Sequence, residues 1–567
     1  MPAKSPMKVV VCWHMHQPQY RDVITGQYYQ PWTYLHATKD YVDMVAHLEE
    51  VPEAKAVVNF APVLLEQIDD YGRQIQGYLH SSHAITDPLL AALAAPVLPN
   101  EPEARITLVK ACLRANRIRL IDPFPQFKRL AALADYLIAN VNALEYLQDQ
   151  FLVDLLVWYH LAWMGETVRR DNVAIKALIA KERHYTLADR RQLLDIMGEL
   201  ISGVIGRYRS LAEQGRIEVS MTPYAHPIVP LLLDLDSARE AMPDAPMPKL
   251  ERYPGGDERA RWHIVRGLEV FQKYFGFRPN GCWPSEGSVS EAALRLFGEF
   301  GFSWVATGEN VYRNTLHNFG QGGAQELTTV HHAFQVKHEG PACFFRDDGL
   351  SDMVGFTYAD WHADDAVANL LHHIENIYAH NKDEIQDTVV SIVLDGENAW
   401  EYYPSNGYHF LHALYQRLAE HPDIELTTFS EALAAGAAIK QLPGVTAGSW
   451  VYGTFSTWIG EVDKNRGWDM LGDLKKIYDQ VLAEGRLSTE GLAKAELQMA
   501  ICEGSDWFWW FGGYNPESSV SDFERLYRTH LSNMYQILGA EPPEYLSHSF
   551  TQGKGSPAAG GVMRTGS

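Results

Sequence analysis

The chain has 567 residues, 46% of them hydrophobic and 21% charged, a composition typical of a globular protein that is too long for one simple core. Its formal net charge is −23, from 48 Lys and Arg against 71 Asp and Glu. This charge argues against nucleic acid or an anionic membrane as a partner, because both bind basic faces, whereas a neutral polysaccharide is not repelled.

Apolar runs and helical patterns alternate along most of the chain. Continuous apolar runs predict strands buried on both faces, and helices are predicted where apolar residues recur three or four apart, as in 257–275. The predicted strands are 9–12, 56–60, 217–221, one beginning at Gly281, 302–306, 388–394 and, as the last, 424–428. Repeated strand–helix–strand order requires a parallel sheet, and this many units favours a closed or nearly closed α/β barrel.

Two stretches interrupt the alternation. Residues 86–205 show helical patterns and predict an inserted helical region over the barrel mouth, and 434–438 and 442–444 resemble a linker. We therefore expect a catalytic barrel over 7–435 and a C-terminal helical domain over 445–548. The Gly- and Ser-rich segment 549–567 is expected to be disordered. No Gly-x-Gly-x-x-Gly follows the first strand, which weakens a dinucleotide-binding alternative.

Two of the predicted strands end at carboxylates. The run Ser-Ile-Val-Leu is followed by Asp395-Gly-Glu397, and Gly-Cys-Trp-Pro-Ser is followed by Glu286. Ends of parallel strands meet at one mouth, so Glu286 and Asp395 are expected to face each other. Cleavage of a glycosidic bond requires such a pair, an acid for the leaving oxygen and an anion for the sugar cation. An ion pair or a helix N-terminus is the structural alternative for each acid, and Glu397 rivals Asp395.

Histidines mark two other predicted strand ends. His14 and His16 point to the same side of the first strand, where they could bind a metal or sugar hydroxyls. Two prolines stiffen the loop after 217–221 and make it a platform for Tyr224 and His226, although an ordinary exposed turn is the alternative.

Tryptophans and acids recur together in the second half of the chain. They could form aromatic walls for sugar rings, although most aromatic residues pack in cores. The acid- and arginine-containing stretch 345–352 is more often a solvated charged turn. The candidates for substrate binding in these stretches and beside Glu286 are Trp283, Asp352, Trp458, Glu461, Trp468 and Asp506.

Five of these stretches together resemble the signature regions of glycoside hydrolase family 57. In family order they are His16-Gln-Pro, Pro223-Tyr-Ala-His-Pro, Trp283-Pro-Ser-Glu, Leu394-Asp-Gly-Glu-Asn and Trp458-Ile-Gly-Glu. The last two sequences are similar to those of the amylase and amylopullulanase branch. The resemblance implies an incomplete (β/α)7 barrel with a C-terminal helical domain, acting on α-glucans with retention of configuration.

The resemblance also implies residue roles. Glu286 would be the nucleophile and Asp395 the acid/base, while His16 and His226 would bind the sugar next to the broken bond. Trp458 and Glu461 would complete the cleft from the helical domain. The sequence Ser-Glu-Gly-Ser around Glu286 differs from the Ala-rich sequence that characterised amylopullulanases more often have at this motif, which leaves the precise specificity, including α-1,6 cleavage, open.

The sequence thus predicts a retaining hydrolase of α-1,4-glucans such as glycogen or maltodextrin, with carboxyl groups about 5–5.5 Å apart and no need of a metal or cofactor. A 4-α-glucanotransferase or branching enzyme is the main alternative. A metal-dependent deacetylase or mannosidase using His14 and His16 is disfavoured because the expected neighbouring Asp is missing. A non-catalytic glucan-binding protein is disfavoured because both carboxylates are in place.

The cysteines and the terminus bear on the compartment. Five scattered cysteines without Cys-x-x-Cys predict neither a disulfide framework nor a zinc knuckle. Residues 1–7 lack the apolar segment of a secretory signal, and no apolar run reaches the length of a membrane span. We therefore expect a cytoplasmic protein. The oligomeric state does not follow from the sequence.

Overall fold

The computed structural model describes residues 5–319, 329–555 and 563, and its centre is a curved sheet. The strands in these ranges are β1 Met7–Met15, β2 Ala56–Phe60, β3 Ile217–Met221, β4 Gly281–Cys282, β5 Trp304–Gly308, β6 Ala333–Val336, β7 Glu339–Arg346, β8 Val389–Asp395, β9 Ile424–Leu426 and β10 Ile439–Leu442. Seven of them run parallel in the order β7-β5-β4-β3-β2-β1-β8. This is the predicted incomplete (β/α)7 barrel.

The barrel is nearly closed between β8 and β7. No ladder joins these two strands among the described residues, but Asp347 N donates to Ser391 O at 2.8 Å and Arg346 Nε donates to Val393 O at 2.8 Å. At the other side of β8, the register pairs His14 of β1 with Asp395. The curvature therefore turns the carboxyl ends of all seven strands toward one mouth.

Three strands lie outside the parallel set of seven. β9 pairs with the start of β1, β6 pairs antiparallel with β7, and β10 pairs with β6. The expectation that 424–428 holds the last strand is therefore wrong, because β10 follows within the region expected to hold a linker. Its residues are partly exposed at the sheet edge, so they lack the continuous apolar run of a central strand. The stretch 345–352 is likewise the end of β7 and a short helix.

Helices cover the barrel and form the insertion and the C-terminal region. The α-helices are Trp32–His36, Val42–Glu50, Pro62–Ser81, Pro88–Ala94, Pro102–Ala111, Pro125–Ala139, Asp149–Ala162, Glu166–Asp171, Val173–Lys181, Leu187–Glu213, Val229–Leu233, Gly256–Phe275, Glu291–Glu299, Glu309–Asn318, Asp348–Asp352, Ala363–His380, Tyr408–Glu420, Phe429–Ala434, Val462–Ala483, Thr489–Cys502, Asp506–Trp510 and Glu517–Ile537. The segment between β2 and β3 consists of helices joined by loops, as the sequence predicts for 86–205. None of the described helices is both long and apolar enough to cross a bilayer.

The end of the chain packs against the C-terminal helices as far as residue 555. Thr551 is buried and its Oγ1 donates to Asp463 Oδ2 at 2.6 Å, and Gly555 bridges to Pro516. The expected disorder of 549–567 is thus not seen for 549–555. Apart from residue 563, the remainder of that segment lies outside the described residues.

Candidate active site

One cavity lies at the carboxyl ends of the strands, and both predicted catalytic carboxylates line it. Its empty volume is about 1260 Å³, a figure that includes space open to solvent. Of the residues singled out in the sequence, it is lined by His14, His16, His226, Glu286, Asp395, Glu397 and Asp506. These side chains come from β1, the turns after β3 and β4, β8, and the C-terminal helices.

Glu286 is held in an unusual backbone conformation. Its φ is +57°, in the left-handed region that residues other than glycine seldom adopt, and His226 has a φ of +60°. Trp450 N donates to Glu286 O at 3.1 Å, and the Trp450 indole N–H donates to Glu286 Oε2 at 3.0 Å. The other carboxylate oxygen lies 3.9 Å from His226 Nδ1. These contacts aim the carboxylate into the cavity.

Asp395 ends β8 in a more enclosed environment. Burial raises the pKa of its carboxyl to about 6, although a 3.1 Å hydrogen bond from Asn398 Nδ2 and the charges of His16 and Arg346 favour the ionised form. The next residue must be small, since a Cβ on Gly396 would collide with Met15 Sδ. Asp395 is thus a carboxyl group that can hold a proton near neutral pH.

Glu397, the alternative candidate for the acid/base, is hydrogen-bonded to the turn after β1. Its Oε1 accepts hydrogen bonds from His16 N at 3.1 Å and from Gln17 Nε2 at 3.2 Å. Burial, followed by repulsion from Asp395, raises the pKa of Glu397 well above its usual range. Its carboxyl group therefore fixes the turn after β1, which carries His16.

Three histidine rings stack along one wall. The ring centroids of His16 and His226 are 3.8 Å apart, and those of His14 and His226 are 5.1 Å apart. His14 Nδ1 contacts Asn59 Oδ1 at 2.7 Å, while His14 Nε2 lies 3.1 Å from His226 Nε2. Burial lowers the pKa of His14 to about 3 and that of His226 well below its usual range, with His16 adding repulsion. His14 and His226 therefore form part of this wall as neutral imidazoles whose ring nitrogens contact protein groups.

The C-terminal region closes the cavity opposite the barrel. Asp506 Oδ1 lies 2.8 Å from His16 Nε2, and Ser505 Oγ lies 2.8 Å from His226 Nδ1. Trp509 and Trp510 follow on the same short helix and line the cavity. These residues of the C-terminal helices form one wall of the cavity, and Trp458 and Glu461 are not among the residues that line it.

Three of the predicted binding residues in the C-terminal region lie behind the cavity wall. Trp458 is fully buried, with its ring 6.1 Å from that of Trp509. Trp468 is also buried and donates from Nε1 to Trp458 O at 3.0 Å. Glu461 caps the helix Val462–Ala483 by accepting from its first N–H groups. Burial and helix capping account for these positions, and a direct contact with substrate stays a prediction for them.

The same holds for three residues of the barrel. The Tyr224 hydroxyl donates to Glu66 at 2.5 Å, away from the cavity. Asp352 pairs with Arg346 at 2.6 Å. Trp283 is fully buried and meets Trp450 edge-on at 5.1 Å between ring centroids. Trp283 and Asp352 thus contact residues that line the cavity without lining it themselves.

Several lining residues were missed in the sequence. Arg346 is buried, is held by Asp348 and Asp352, and lies 5.6 Å from the Trp450 ring centroid. The helical insertion supplies Arg114 and Trp163. In the sequence, Arg346 directly follows an apolar run at 343–345, a position that marks a strand end. Arg114 and Trp163 have no such local pattern.

His16, His226 and Asp506 present ligand atoms within 4.8 Å of one another, the proximity a metal ion needs. The two rings, however, are stacked with an interplanar angle of 17°. Parallel stacked rings do not direct their nitrogen lone pairs to a common point, and Asp506 and Ser505 already satisfy one nitrogen of each ring. This arrangement does not present the converging lone pairs that a tetrahedral ion requires.

A barrel of parallel strands that presents two carboxylates in one cavity defines an enzyme of the α/β-barrel class. The sequence model of the family described as Glycosyl hydrolase family 57 matches residues 10–443, more than half of the chain. The chain therefore belongs to glycosyl hydrolase family 57.

Similar proteins agree with this fold. A curated 1,4-alpha-glucan branching enzyme of Thermococcus kodakarensis is 27% identical over 135 residues, which are 24% of this chain and only 16% of that protein. The crystal structure of a branching enzyme from Thermococcus kodakaraensis, in complex with glucose and additives, is 15% identical with a TM-score of 0.56 and covers 96% of this chain and 92% of that chain. The alpha-amylase AmyC from Thermotoga maritima is 13% identical with a TM-score of 0.56, over 94% of this chain and 93% of that chain.

Proposed function

We propose that the protein is a retaining α-glucan hydrolase with Glu286 as nucleophile and Asp395 as acid/base. The main support is that the carboxyl groups of Glu286 and Asp395 have different surroundings within the same cavity. Glu286 accepts a hydrogen bond from an indole N–H, which favours its anion, whereas burial raises the pKa of Asp395 to about 6. Retaining glycosidases require this division between an anion and a protonated acid.

The reaction proceeds in two displacements. Glu286 attacks the anomeric carbon while Asp395 gives its proton to the departing glycosidic oxygen, which leaves a glycosyl ester on Glu286. Asp395, now ionised, takes a proton from water, and the resulting oxygen attack releases the sugar and restores both carboxyl groups. The two carboxyl groups are expected to be about 5–5.5 Å apart for this course.

The similar proteins support an α-glucan as the substrate, since they include a 1,4-alpha-glucan branching enzyme and an alpha-amylase. Tryptophans at the cavity, including Trp509 and Trp510, offer flat apolar faces for the C–H faces of glucose rings. The proposal includes α-1,4 bonds as the main target and a cytoplasmic setting, where five buried free cysteines stay reduced.

Transfer to a sugar hydroxyl is the second candidate, because the curated relative is a branching enzyme. Both activities share the glycosyl ester and differ in whether water or a glucan hydroxyl takes the glycosyl group. We favour hydrolysis as the main proposal because the sequences of the motifs around Asp395 and Trp458 resemble those of the amylase branch.

Incubation with maltoheptaose distinguishes these activities. Hydrolysis creates one new reducing end for each cleavage, whereas transfer redistributes chain lengths at a constant number of reducing ends, with α-1,6 linkages in the products of a branching enzyme. We expect new reducing ends that appear first as the α-anomer. A β-anomer as first product, or no reaction beyond that of Glu286→Ala, contradicts the proposal. Pullulan in parallel tests α-1,6 cleavage.

A further inference from the structure

A second cluster of possible ligands lies on the outer side of the barrel, between two packed helices. Helix Val42–Glu50 lies between β1 and β2, helix Tyr408–Glu420 lies between β8 and β9, and β1 and β8 are neighbours in the sheet. His47 and Glu50 are three residues apart, hence on one face of their helix, and His412 meets them from the second helix. Ligand atoms of the three side chains all lie within 4.8 Å of one another.

His47 is the unusual member of this cluster. Its side chain is completely buried, yet neither ring nitrogen has a hydrogen-bond partner among the described residues. The surrounding rings do not supply one, since the Tyr408 ring lies 5.2 Å and the His412 ring 6.5 Å away between centroids. Buried polar groups are normally paired, so an unpaired buried imidazole calls for a ligand that can take its lone pair.

The geometry points to a zinc site made by His47, Glu50 and His412, and we propose that these residues bind one Zn²⁺ with water in the fourth position. Tetrahedral Zn²⁺ with bonds of about 2.0–2.2 Å places neighbouring ligand atoms about 3.3–3.5 Å apart. Glu50 Oε2 and His412 Nδ1 are 3.4 Å apart, which matches one edge of this tetrahedron.

The remaining adjustment falls on the two partly exposed ligands. The Glu50 and His412 side chains are 33% and 39% exposed, so they can rotate toward the fixed, buried His47. The His47 ring offers a nitrogen lone pair that no other described group takes, which a metal ion can accept. Two imidazoles and one carboxylate favour Zn²⁺ over Ca²⁺ or Mg²⁺, which prefer oxygen ligands.

A cation is not excluded by nearby positive charge. Arg170 lies 4.2 Å from the Tyr408 ring centroid, but it is paired with Glu166 at 2.7 Å. The ion would join the helix behind β1 to the helix behind β8, the strands that end at His14 and Asp395. Its expected effect is therefore on the stability of the barrel, because its ligands lie outside the catalytic cavity.

The test uses the full-length protein stripped with EDTA and then supplied with Zn²⁺ or, as a spectroscopic probe, Co²⁺. We expect about one ion per chain after gel filtration, a rise of a few degrees in the Tm, and the intense visible absorption of four-coordinate Co²⁺. His412→Ala and Glu50→Gln alter partly exposed ligands, so they should fold and lose both the ion and the rise in Tm. His409→Ala, an exposed neighbour on the same helix, is the matched control and should keep both.

Three outcomes would overturn the proposal. The first is a wild-type protein that retains no Zn²⁺ after gel filtration. The second is retention of the ion and of the Tm shift by both His412→Ala and Glu50→Gln. The third is loss of the ion in Asp506→Asn alone, which would assign the metal to the catalytic cavity instead.

Discussion

Trp450 holds Glu286 at two points: its backbone N–H donates to the Glu286 carbonyl at 3.1 Å, and its indole N–H donates to Glu286 Oε2 at 3.0 Å. The segment that carries Trp450 is fixed by an antiparallel bridge between Val289 and Gly448. The conformation of the proposed nucleophile, with its φ of +57°, is therefore supported from a part of the chain more than a hundred residues later.

Replacing Trp450 by Phe keeps the ring and removes the side-chain donor. We expect kcat for maltoheptaose to fall about 10- to 100-fold, since a hydrogen bond to a charged group contributes about 1.5–3 kcal/mol. The Tm should change little, because the aromatic contact with Trp283 and the backbone hydrogen bond remain. Trp509→Phe is the matched control at the same cavity, and it should raise KM more than it lowers kcat. Equal effects of the two substitutions on kcat would contradict the role of the indole N–H.

The acids at strand ends could be located from sequence because the cause is local. An apolar run that stops at Asp395, and another that stops before Glu286, place both side chains at the carboxyl end of a parallel sheet. Trp450 could not be located this way, because its position depends on the bridge to Val289, a contact between distant segments. The motif around Trp458 and Glu461 identifies a segment near the cavity. It does not reveal that the Trp458 ring is buried and that Glu461 caps a helix, while Asp506 and its neighbours form the cavity wall.

The fold shows the same limit. The seven parallel strands are mostly continuous apolar runs. By contrast, β10 lies at the sheet edge with β6 between it and β7, and both carry polar residues such as Gln335 and Gln441. An edge strand such as β10 needs no apolar run on both faces, so its sequence does not predict a strand. The helical insertion was evident from its periodicity, but its contribution of Arg114 and Trp163 to the cavity depends on tertiary packing.

The pH dependence should report Asp395. It must be protonated in the first step, and burial raises its pKa to about 6, so kcat/KM for a maltodextrin should fall as the pH rises through about 6. Asn398→Leu removes the donor that favours the ionised carboxylate, so the basic limb should move to higher pH. Measuring kcat/KM between pH 4 and 9 for both proteins checks this. A limb that stays in place or moves to lower pH would assign it to another group.

Glu503 connects the barrel to the C-terminal helices through a fully buried network. Its carboxylate accepts from Tyr253, from Arg259 and from His263 at 2.6–3.0 Å. Burial alone raises the pKa of Glu503, but Arg259 and His263 together lower it to about 2. The loop that follows carries Ser505, whose backbone N–H donates to His226 O at 2.9 Å, so this network also supports the cavity wall.

Glu503→Gln leaves the Arg259 charge buried without its partner, so we expect a loss of about 3–5 kcal/mol in the apparent free energy of unfolding measured with urea at pH 7. Because the folded pKa lies below the ordinary value of 4.5, the wild-type contribution is present above pH 4.5. It is lost as the pH falls from about 4.5 to about 2. Glu490→Gln, the same change at an exposed position on the adjoining helix, should leave the urea midpoint unchanged. A similar midpoint for both variants would show that the network contributes little.

The assignment of the acid/base between Asp395 and Glu397 can be decided by chemical rescue. Asp395→Ala should slow cleavage of natural glucans by about 10²- to 10⁴-fold but leave faster reaction with aryl glycosides, whose leaving groups need little protonation. Azide should restore rate by attacking the glycosyl ester from the vacated space, and Glu286→Ala should abolish both reactions because no ester forms.

Glu397→Ala removes the acceptor for His16 N and Gln17 Nε2, so it should lower activity without rescue by azide. Glu397→Gln, whose amide oxygen can still accept those bonds, should retain most of the activity. Rescue of Glu397→Ala and not of Asp395→Ala would reverse the two roles.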